Sequence, residues 1–497
     1  IRVFVSGKPS GTYVDNGSSI IVPAGGDGSA AWLWCHSGPV VIDWYGATTT
    51  STVDNAPFIL KAAQSGATVI IPQGKVYSVS GVEITDKSNF TITGGGQLRL
   101  MDLSNKPVLR ATRCTNWQFN NVKIDGNKAG QNNTADRNLG SCLFAYMSSD
   151  WKIINCEAIN GYSGACILAI DNSGDATEVQ TNGLIGWNTI KDGGGATAVT
   201  LCDGIFANSD NTLIVGNTIH NVSDYGIAAD YSRNLKIVDN SIRQVGFVGI
   251  GILGAYDWDV SNNRIQQGGI GIAVTLSGNT AISPYISRDV RISGNIISDI
   301  TNAGGLLGDG IFVDPSALDI EVSLNKIRNV FRGIACSSAN CLVIGNTIRD
   351  AVDRGLFVDP AGSIVYGNKA IRCGVTSYYG SSISNKTLFE DTSVGAIAAT
   401  TFLNNWVNVG GSYDVAGFLR QGGIVRLCGQ VKSGSSNGSP IFILPVGYRP
   451  KTPVRVAVPG DTVGGVANIL IDISGNVIHL SGAVAEVHLA NISFVTA

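Results

Sequence analysis

Apolar and polar positions recur through the middle of the chain in one short phrase: an apolar strand, an asparagine, a short polar or variable position, then an isoleucine. It reads Trp187-Asn188-Thr189-Ile190, Gly216-Asn217-Thr218-Ile219, Asp239-Asn240-Ser241-Ile242 and Asn262-Asn263-Arg264-Ile265. It continues as Gly294-Asn295-Ile296-Ile297, Leu324-Asn325-Lys326-Ile327 and Gly345-Asn346-Thr347-Ile348, and ends as Gly367-Asn368-Lys369-Ala370. The asparagines are 29, 23, 23, 32, 30, 21 and 22 residues apart, and earlier periods place Cys156 and Val122 at the same point. A second phrase lies between them: Gly204-Ile205-Phe206-Ala207, Gly226-Ile227-Ala228-Ala229, Gly249-Ile250-Gly251-Ile252 and Gly269-Ile270-Gly271-Ile272. Its later copies are Gly310-Ile311-Phe312-Val313, Gly333-Ile334-Ala335-Cys336 and Gly355-Leu356-Phe357-Val358.

A period near 22, with three short strands and turns in each, predicts an all-β solenoid: a right-handed parallel β-helix. Each period is one coil, and coils stack strand on strand at about 4.8 Å. An asparagine at the same tight turn of every coil bonds to the next turn and satisfies backbone groups inside the bend. The longer periods are the base coil plus a loop, and such insertions gather on one side of a solenoid, often the binding side. The open end needs a cap. Thr52 to Gly66 offers one, a helix started by Asp54, with Phe58, Ile59, Ala62 and Ala63 along one side.

The pattern divides the chain into a neck at 1–39, the capping helix and first coils at 40–100, the coil body at 101–374, a linker at 375–400 and a C-terminal antiparallel β-sandwich at 401–497. In the last segment, alternating strands such as Gly423-Ile424-Val425-Arg426-Leu427 are separated by turns such as Ser435-Ser436-Asn437-Gly438.

Composition narrows the function. Of 497 residues 63 are glycine and only 14% are charged, which fits a turn-rich all-β chain. The net charge of −3 lacks the basic excess of a nucleic-acid binder. A hydrophobic share of 44% excludes disorder, and no apolar run is long enough for a membrane-spanning helix. The ten cysteines contain no CxxC, and the four histidines stand apart from them, so neither metal nor cofactor is expected. Those cysteines read as small buried hydrophobes of a reduced protein.

Three segments resemble a known family. Val40-Val41-Ile42-Asp43-Trp44-Tyr45-Gly46, followed by the helix and Val69-Ile70-Ile71-Pro72-Gln73-Gly74, looks like the lead-in of pectate-lyase-like β-helix proteins, bacteriophage tailspikes among them. The coils resemble their body. The tail, with Asn405-Trp406, Gly410-Gly411-Ser412-Tyr413 and Leu444-Pro445-Val446-Gly447-Tyr448, is similar to a domain at the end of phage tail fibres and tailspikes. The resemblance implies a homotrimeric capsule depolymerase on a phage virion, which binds and hydrolyses a bacterial capsular or O-antigen polysaccharide. It implies assembly in the host cytoplasm, with attachment through a short or missing N-terminal module; no signal peptide is visible from Ile1 onward. A polysaccharide lyase on the same groove and a non-catalytic receptor-binding adhesin are the alternatives.

Glycoside hydrolysis needs two carboxyl groups about the scissile bond. Alternation along the second phrase turns Phe206, Ala228, Gly251, Gly271 and Phe312 outward, as a groove floor with aromatic walls or as packing against another subunit. Asp203 and Asp230 stand at opposite strand ends on successive coils, about 16 Å apart, so each needs another partner. By resemblance, Asp171 or Asp175 pairs with Asp203. Asp314 and Asp359 are two coils apart, about 9.6 Å, but Asp-Pro recurs at both and favours a turn role. Asp309, beside Arg332, reads also as an ion pair. Tyr225, Tyr231, Tyr256, Trp258, Phe206 and Phe312 are the candidate sugar-contacting rings, and alternation makes some of these rings core.

Overall fold

The computed structural model describes strands at 2–5, 13–15, 20–23 and 32–35, and then residues 38–495, except 66, 133–136, 172–179, 196–199, 277–285, 302–307, 359–362, 374–375, 380–396, 399–400, 411–414, 422–423, 436–437, 461–464 and 491. Two compact units, 1–339 and 340–497, make up the chain.

In the first unit, a four-stranded antiparallel sheet of the N-terminal strands precedes the coils. Each coil then has three strands. The first wall holds Leu143–Tyr146, Gly164–Ile170, Cys202–Ala207, Ile227–Asp230, Val248–Leu253, Ile270–Thr275 and Asp309–Val313. The second holds Ser149–Ile154, Thr181–Gly186, Leu213–Val215, Lys236–Val238, Tyr256–Ser261 and Arg288–Ser293. The third holds Glu157–Ile159, Thr189–Gly193, Thr218–Val222, Ser241–Val245, Arg264–Gln266 and Ile296–Ser298. Every strand pairs in parallel with its counterpart one coil on, as Ile205 with Ile227 and Ile227 with Ile250. This is the right-handed parallel β-helix that the periodicity calls for.

The corner between the second and third walls takes two residues in every coil from Asn121 to Asn325, and its geometry is fixed by hydrogen bonds. The first of the two is left-handed: φ is +55° at Trp187, +65° at Gly216, +57° at Asp239 and +56° at Asn262. The second is the repeated asparagine, buried at 0–1% exposure from Asn188 to Asn325. Asn240 shows the pattern. Its Oδ1 accepts the backbone N–H and side-chain amide of Asn217, each at 2.9 Å, and its Nδ2 donates to the Ile214 carbonyl at 3.0 Å. Asn217, Asn263 and Asn295 make the same set. The ladder ends where the Cys156 N–H donates to Asn188 Oδ1 at 2.8 Å.

Inside, isoleucine columns fill the coils. Ile205, Ile227, Ile250, Ile272 and Ile311 are all fully buried. Glycine is required beside them: a Cβ on Gly226 would lie 2.4 Å from Ile242 Cγ2 and 2.6 Å from the Gly249 carbonyl oxygen. Lower in the stack, Trp117 and Trp151 pile at 6.0 Å, and the next position is Gly183, whose Cβ would strike the Trp151 ring. The helix Ala56–Ser65 buries Ile59, Ala62 and Ala63. Asp54 Oδ1 accepts the Ala56 N–H at 3.0 Å, the cap expected of it.

The alignment of one repeat needs correction. Gly251 pairs with Ala273, and Val248 with Ile270, so the repeat aligns as Gly271-Ile272-Ala273-Val274, two residues later than the sequence phrase places it. A slip of two keeps every side chain on its own face, so apolar alternation cannot reveal it. The reduced-cysteine expectation is also corrected. Cys336 and Cys341 are disulfide-bonded, whereas Cys114, Cys142, Cys156, Cys166 and Cys202 are buried free thiols.

The second unit contains coil strands of the same kind: Leu342–Ile344 pairs in parallel with Ile364–Tyr366, and Asn346 bonds Asn368 as in the ladder above. Three small antiparallel sheets follow. They share one core around Trp406, Phe418, Leu427, Phe442 and Ile469.

Asn240→Ala removes one rung: the buried Asn217 N–H loses its acceptor, and the Ile214 carbonyl loses its side-chain donor. At about 1–3 kcal/mol for an orphaned buried group, the expected loss is of that size, read as a lower denaturant midpoint with an unchanged circular dichroism spectrum.

Candidate functional site on the first wall

The longer connections begin or end at the first wall. In chain order, 171–180 and 276–287 join the first wall to the second, and 194–201 and 299–308 join the third to the first. The ladder corner takes none of them. Asp175, at 172–179, Tyr285 and Asp359 lie outside the described residues.

The wall's outward column reads Phe206, Ala228, Gly251, Ala273 and Phe312 through the pairings of successive strands. Ala273 takes the place that sequence alignment gave to Gly271. Phe206 packs with Phe144 and Leu168, and Phe312 with Val248, Ile270 and Ala273. The Tyr225 ring lies on Gly251, where a Cβ would stand 2.5 Å from its Cε1, and meets Phe247 at 5.6 Å. The floor is thus apolar and aromatic.

Carboxylates gather at both edges of this floor. At the strand starts, buried Asp203 accepts the Tyr225 N–H on Oδ1 at 3.0 Å. Burial, together with the charges of Asp224, Asp203 and Asp230, pushes the Tyr225 phenol up to about 12. Tyr225 therefore feels both of the carboxylates that the sequence places at opposite strand ends. Asp224, buried beside it, is a residue that sequence reasoning missed. Along this edge runs a groove of about 720 Å³, lined by Gly193, Ser223, Gly246 and Thr301 with Asn221, Gln244 and Asp299. Lys128 reaches into its wall and donates to the Asp192 carbonyl at 2.7 Å and the Gly194 carbonyl at 3.2 Å.

At the strand ends, Asp171, Asp210 and Asp230 come from three successive coils. Asn208 Nδ2 donates to Asp171 Oδ1 at 3.2 Å. Asp210 accepts the Arg233 N–H at 2.7 Å. Burial first, and the charge of Asp210 second, push the Asp171 carboxyl up to about 6. The structure thus brings Asp171 beside Asp210, another residue missed in the sequence, and not beside Asp203. Asp203 pairs with Ala165, at the far end of the strand that Asp171 follows. The signal for Asp210 was present, since it follows the second phrase by three residues, but it precedes an ordinary turn.

The other candidates are placed elsewhere. Asp309 is fully buried and bonds Arg332 through both carboxylate oxygens, each at 2.6 Å. Asp314 turns back on its own loop and accepts the Ser316 N–H at 2.9 Å and hydroxyl at 2.6 Å. Trp258 corrects the expectation of an exposed ring: it is core, 2% exposed, with its indole N–H donating to the Ser232 carbonyl at 2.8 Å. Tyr256 is exposed, with Arg288 over its ring at 5.7 Å. Tyr231 is half-buried at a left-handed turn, φ +50°. Among the described residues no group of three His, Cys, Asp or Glu side chains is arranged to hold a metal ion.

The family described as "Right handed beta helix region" matches residues 203–284, which carry four of the coils just described. The Dettilon tailspike protein superposes with a TM-score of 0.56 at 14% identity, over 92% of this chain and 91% of its own. The chain has the right-handed β-helix fold that this tailspike also has. The tailspike of E. coli bacteriophage HK620, solved with a pentasaccharide, matches the β-helix protein with a TM-score of 0.52 at 13% identity, over 91% of this chain and 94% of its own. The catalytic unit of an α-1,3-glucanase from Streptomyces thermodiastaticus has a TM-score of 0.53 at 15% identity, over 73% and 71%. No curated protein matches by sequence. At these identities the likeness is one of fold.

The raised Asp171 carboxyl sets a pH dependence of stability. Its ordinary value is 3.8 and its folded value about 6. Below the lower value both states hold the proton. Between the two the folded state binds more proton than the unfolded state, so stability falls as pH rises through that window. Asp171→Asn removes this slope, measured as the difference between the unfolding midpoints of parent and variant at the two ends of the window.

Proposed function

We propose that the protein is a phage tailspike that hydrolyses a bacterial capsular or O-antigen polysaccharide across the first wall. The observation that carries this reading is the strand-end row: Asp171, its carboxyl raised to about 6, beside Asp210 and Asp230 on consecutive coils. A general acid whose carboxyl is raised toward neutral pH, next to a second carboxylate that can activate water, is the arrangement that glycosidic hydrolysis uses. Asp171 protonates the leaving oxygen. Asp210 holds the proton there by its charge. Asp230 stands two coils from Asp171, a backbone separation of about 9.6 Å at the coil spacing. Carboxyl groups about 6.5–9.5 Å apart leave room for the water of an inverting displacement. Asp203 orients Tyr225, whose ring and the adjoining Phe206 and Phe312 offer apolar surface to a pyranose.

The lyase reading needs a base beside a uronate, and the Tyr225 phenol is moved the wrong way for that, up to about 12. The fold shared with the two tailspikes, one of them solved with a pentasaccharide, supports the polysaccharide reading, as does that shared with a glucanase. Assembly as a homotrimer on the virion tail belongs to the same proposal.

Digestion of a panel of purified capsular polysaccharides and O-chains is the test. The expected outcome is new reducing ends without the ultraviolet absorbance of an unsaturated uronate. That absorbance would mean a lyase, and binding without chain shortening an adhesin. Asp171→Asn and Asp230→Asn should each lower turnover by about 10²–10⁴-fold, and parent activity should fall as pH rises beyond about 6. Light scattering should give three times the 51.8 kDa chain mass, and a single chain mass would refute the trimer.

A further inference from the structure

The ladder corner carries a tryptophan where its geometry asks for something else. The first position of this corner is left-handed in every coil; Asn121, Asn155, Gly216, Asp239, Asn262 and Gly294 are residue types that accept this, and Trp187 and Leu324 are the two that do not. Trp187 holds the same conformation, φ +55°, with a bulky side chain that resists it. It is 54% exposed, against 39% for Trp44 and near-complete burial for Trp117, Trp151, Trp258 and Trp406. Burial therefore does not account for the indole. One coil on is Gly216, where a Cβ would lie 2.7 Å from Trp187 Cδ1, so the missing side chain lets the ring rest against that glycine. The ring's contact is with a glycine, and about half of the residue stays open to solvent, as a ligand platform requires.

We propose that Trp187 is the platform of a second saccharide-binding site, which takes one pyranose ring of a neutral oligosaccharide on the face away from the first wall. The surroundings fit that class. Asn155 and Asn121 precede Trp187 in the corner row, and Asp239 and Asn262 follow Gly216, all exposed and one coil apart, about 4.8 Å. An apolar ring face flanked by amide and carboxylate groups matches a sugar, whose axial C–H groups form one flat surface and whose hydroxyls radiate from its rim. A protein partner fits less well. A stable interface covers about 800 Å² on each side, and here the apolar surface is a single indole in a polar row, with the next exposed apolar residue of that row, Leu324, five coils away. The site is independent of the carboxylates at the first wall and needs no catalysis.

The full chain labelled with 5-fluorotryptophan provides the test. Its Trp187 resonance is assigned by its loss in Trp187→Gly, and again in Trp187→Phe should the first variant misfold. Maltohexaose, cellohexaose and chitohexaose are then titrated in turn. The expected result is a saturable shift of that resonance with at least one of them, and binding at least tenfold weaker in Trp187→Gly. That variant should unfold no lower than the parent, because glycine accepts the left-handed corner. A Trp187 resonance unmoved by all three sugars overturns the proposal, as does a variant that binds as tightly as the parent. A variant that is correctly folded but markedly less stable would show the indole to be a packing residue, and would overturn it too.

Discussion

The corner between the second and third walls constrains everything else in the coils. A chain that turns sharply inside a dry stack leaves backbone N–H and C=O groups that water cannot reach. Each asparagine meets that demand with one side chain. Its oxygen takes the backbone N–H and side-chain amide of the preceding rung, and its nitrogen serves a carbonyl of the strand before it. The rung works only at one length. An extra residue would move the amide away from both partners, so this corner admits none. Variation in coil length is therefore confined to the other two corners, and both border the first wall. The location of the candidate site follows from that exclusion: the connections that vary in length are the two that border the first wall.

The wall itself is suited to hold charge out of water. Its outward column is small in the middle, with Ala228, Gly251 and Ala273, and bulky at Phe206 and Phe312. Side chains at its two edges sink toward this floor, so aspartates there lose hydration without entering the core. Desolvation then acts in one direction on carboxyl and phenol alike, raising both Asp171 and Tyr225, and neighbouring aspartates add to it. Asp309 has a different environment: Arg332 grips both its oxygens and uses up its acceptors in structure. Carboxylates that look alike in the repeat thus divide by their partners.

The fold was legible because its signals are periodic and local. An asparagine followed by isoleucine every 21 to 32 residues leaves few architectures open, and the capping helix announces itself through Asp54. The site was legible only in part. Outward alternation identifies Phe206 and Phe312, and strand ends identify Asp171, Asp203 and Asp230. Which carboxylates meet depends on side-chain reach across coils, and the sequence does not carry that. Asp210 and Asp224 hide in turns that read as ordinary. Trp258 alternates like its exposed neighbours but points into the core, because its strand belongs to the second wall and its indole finds the Ser232 carbonyl there. The two-residue slip at Gly271 is silent for a similar reason: a period of two hides any even shift.

Trp187 illustrates how a repeat exposes what a single coil conceals. In one coil, a tryptophan before an asparagine is an unremarked surface residue. Set beside seven other residues held at the same left-handed corner, it departs from the asparagine, aspartate and glycine that the backbone favours, as Leu324 does farther along. A repeat protein supplies its own comparison, because each coil solves the same backbone problem with different residues. Positions where every coil agrees, such as the buried asparagines, report what the fold requires. Positions where one coil disagrees at a cost to itself are where a demand from outside the fold is to be sought. At the wall the departure is charge kept out of water; at the corner it is an aromatic ring kept in it.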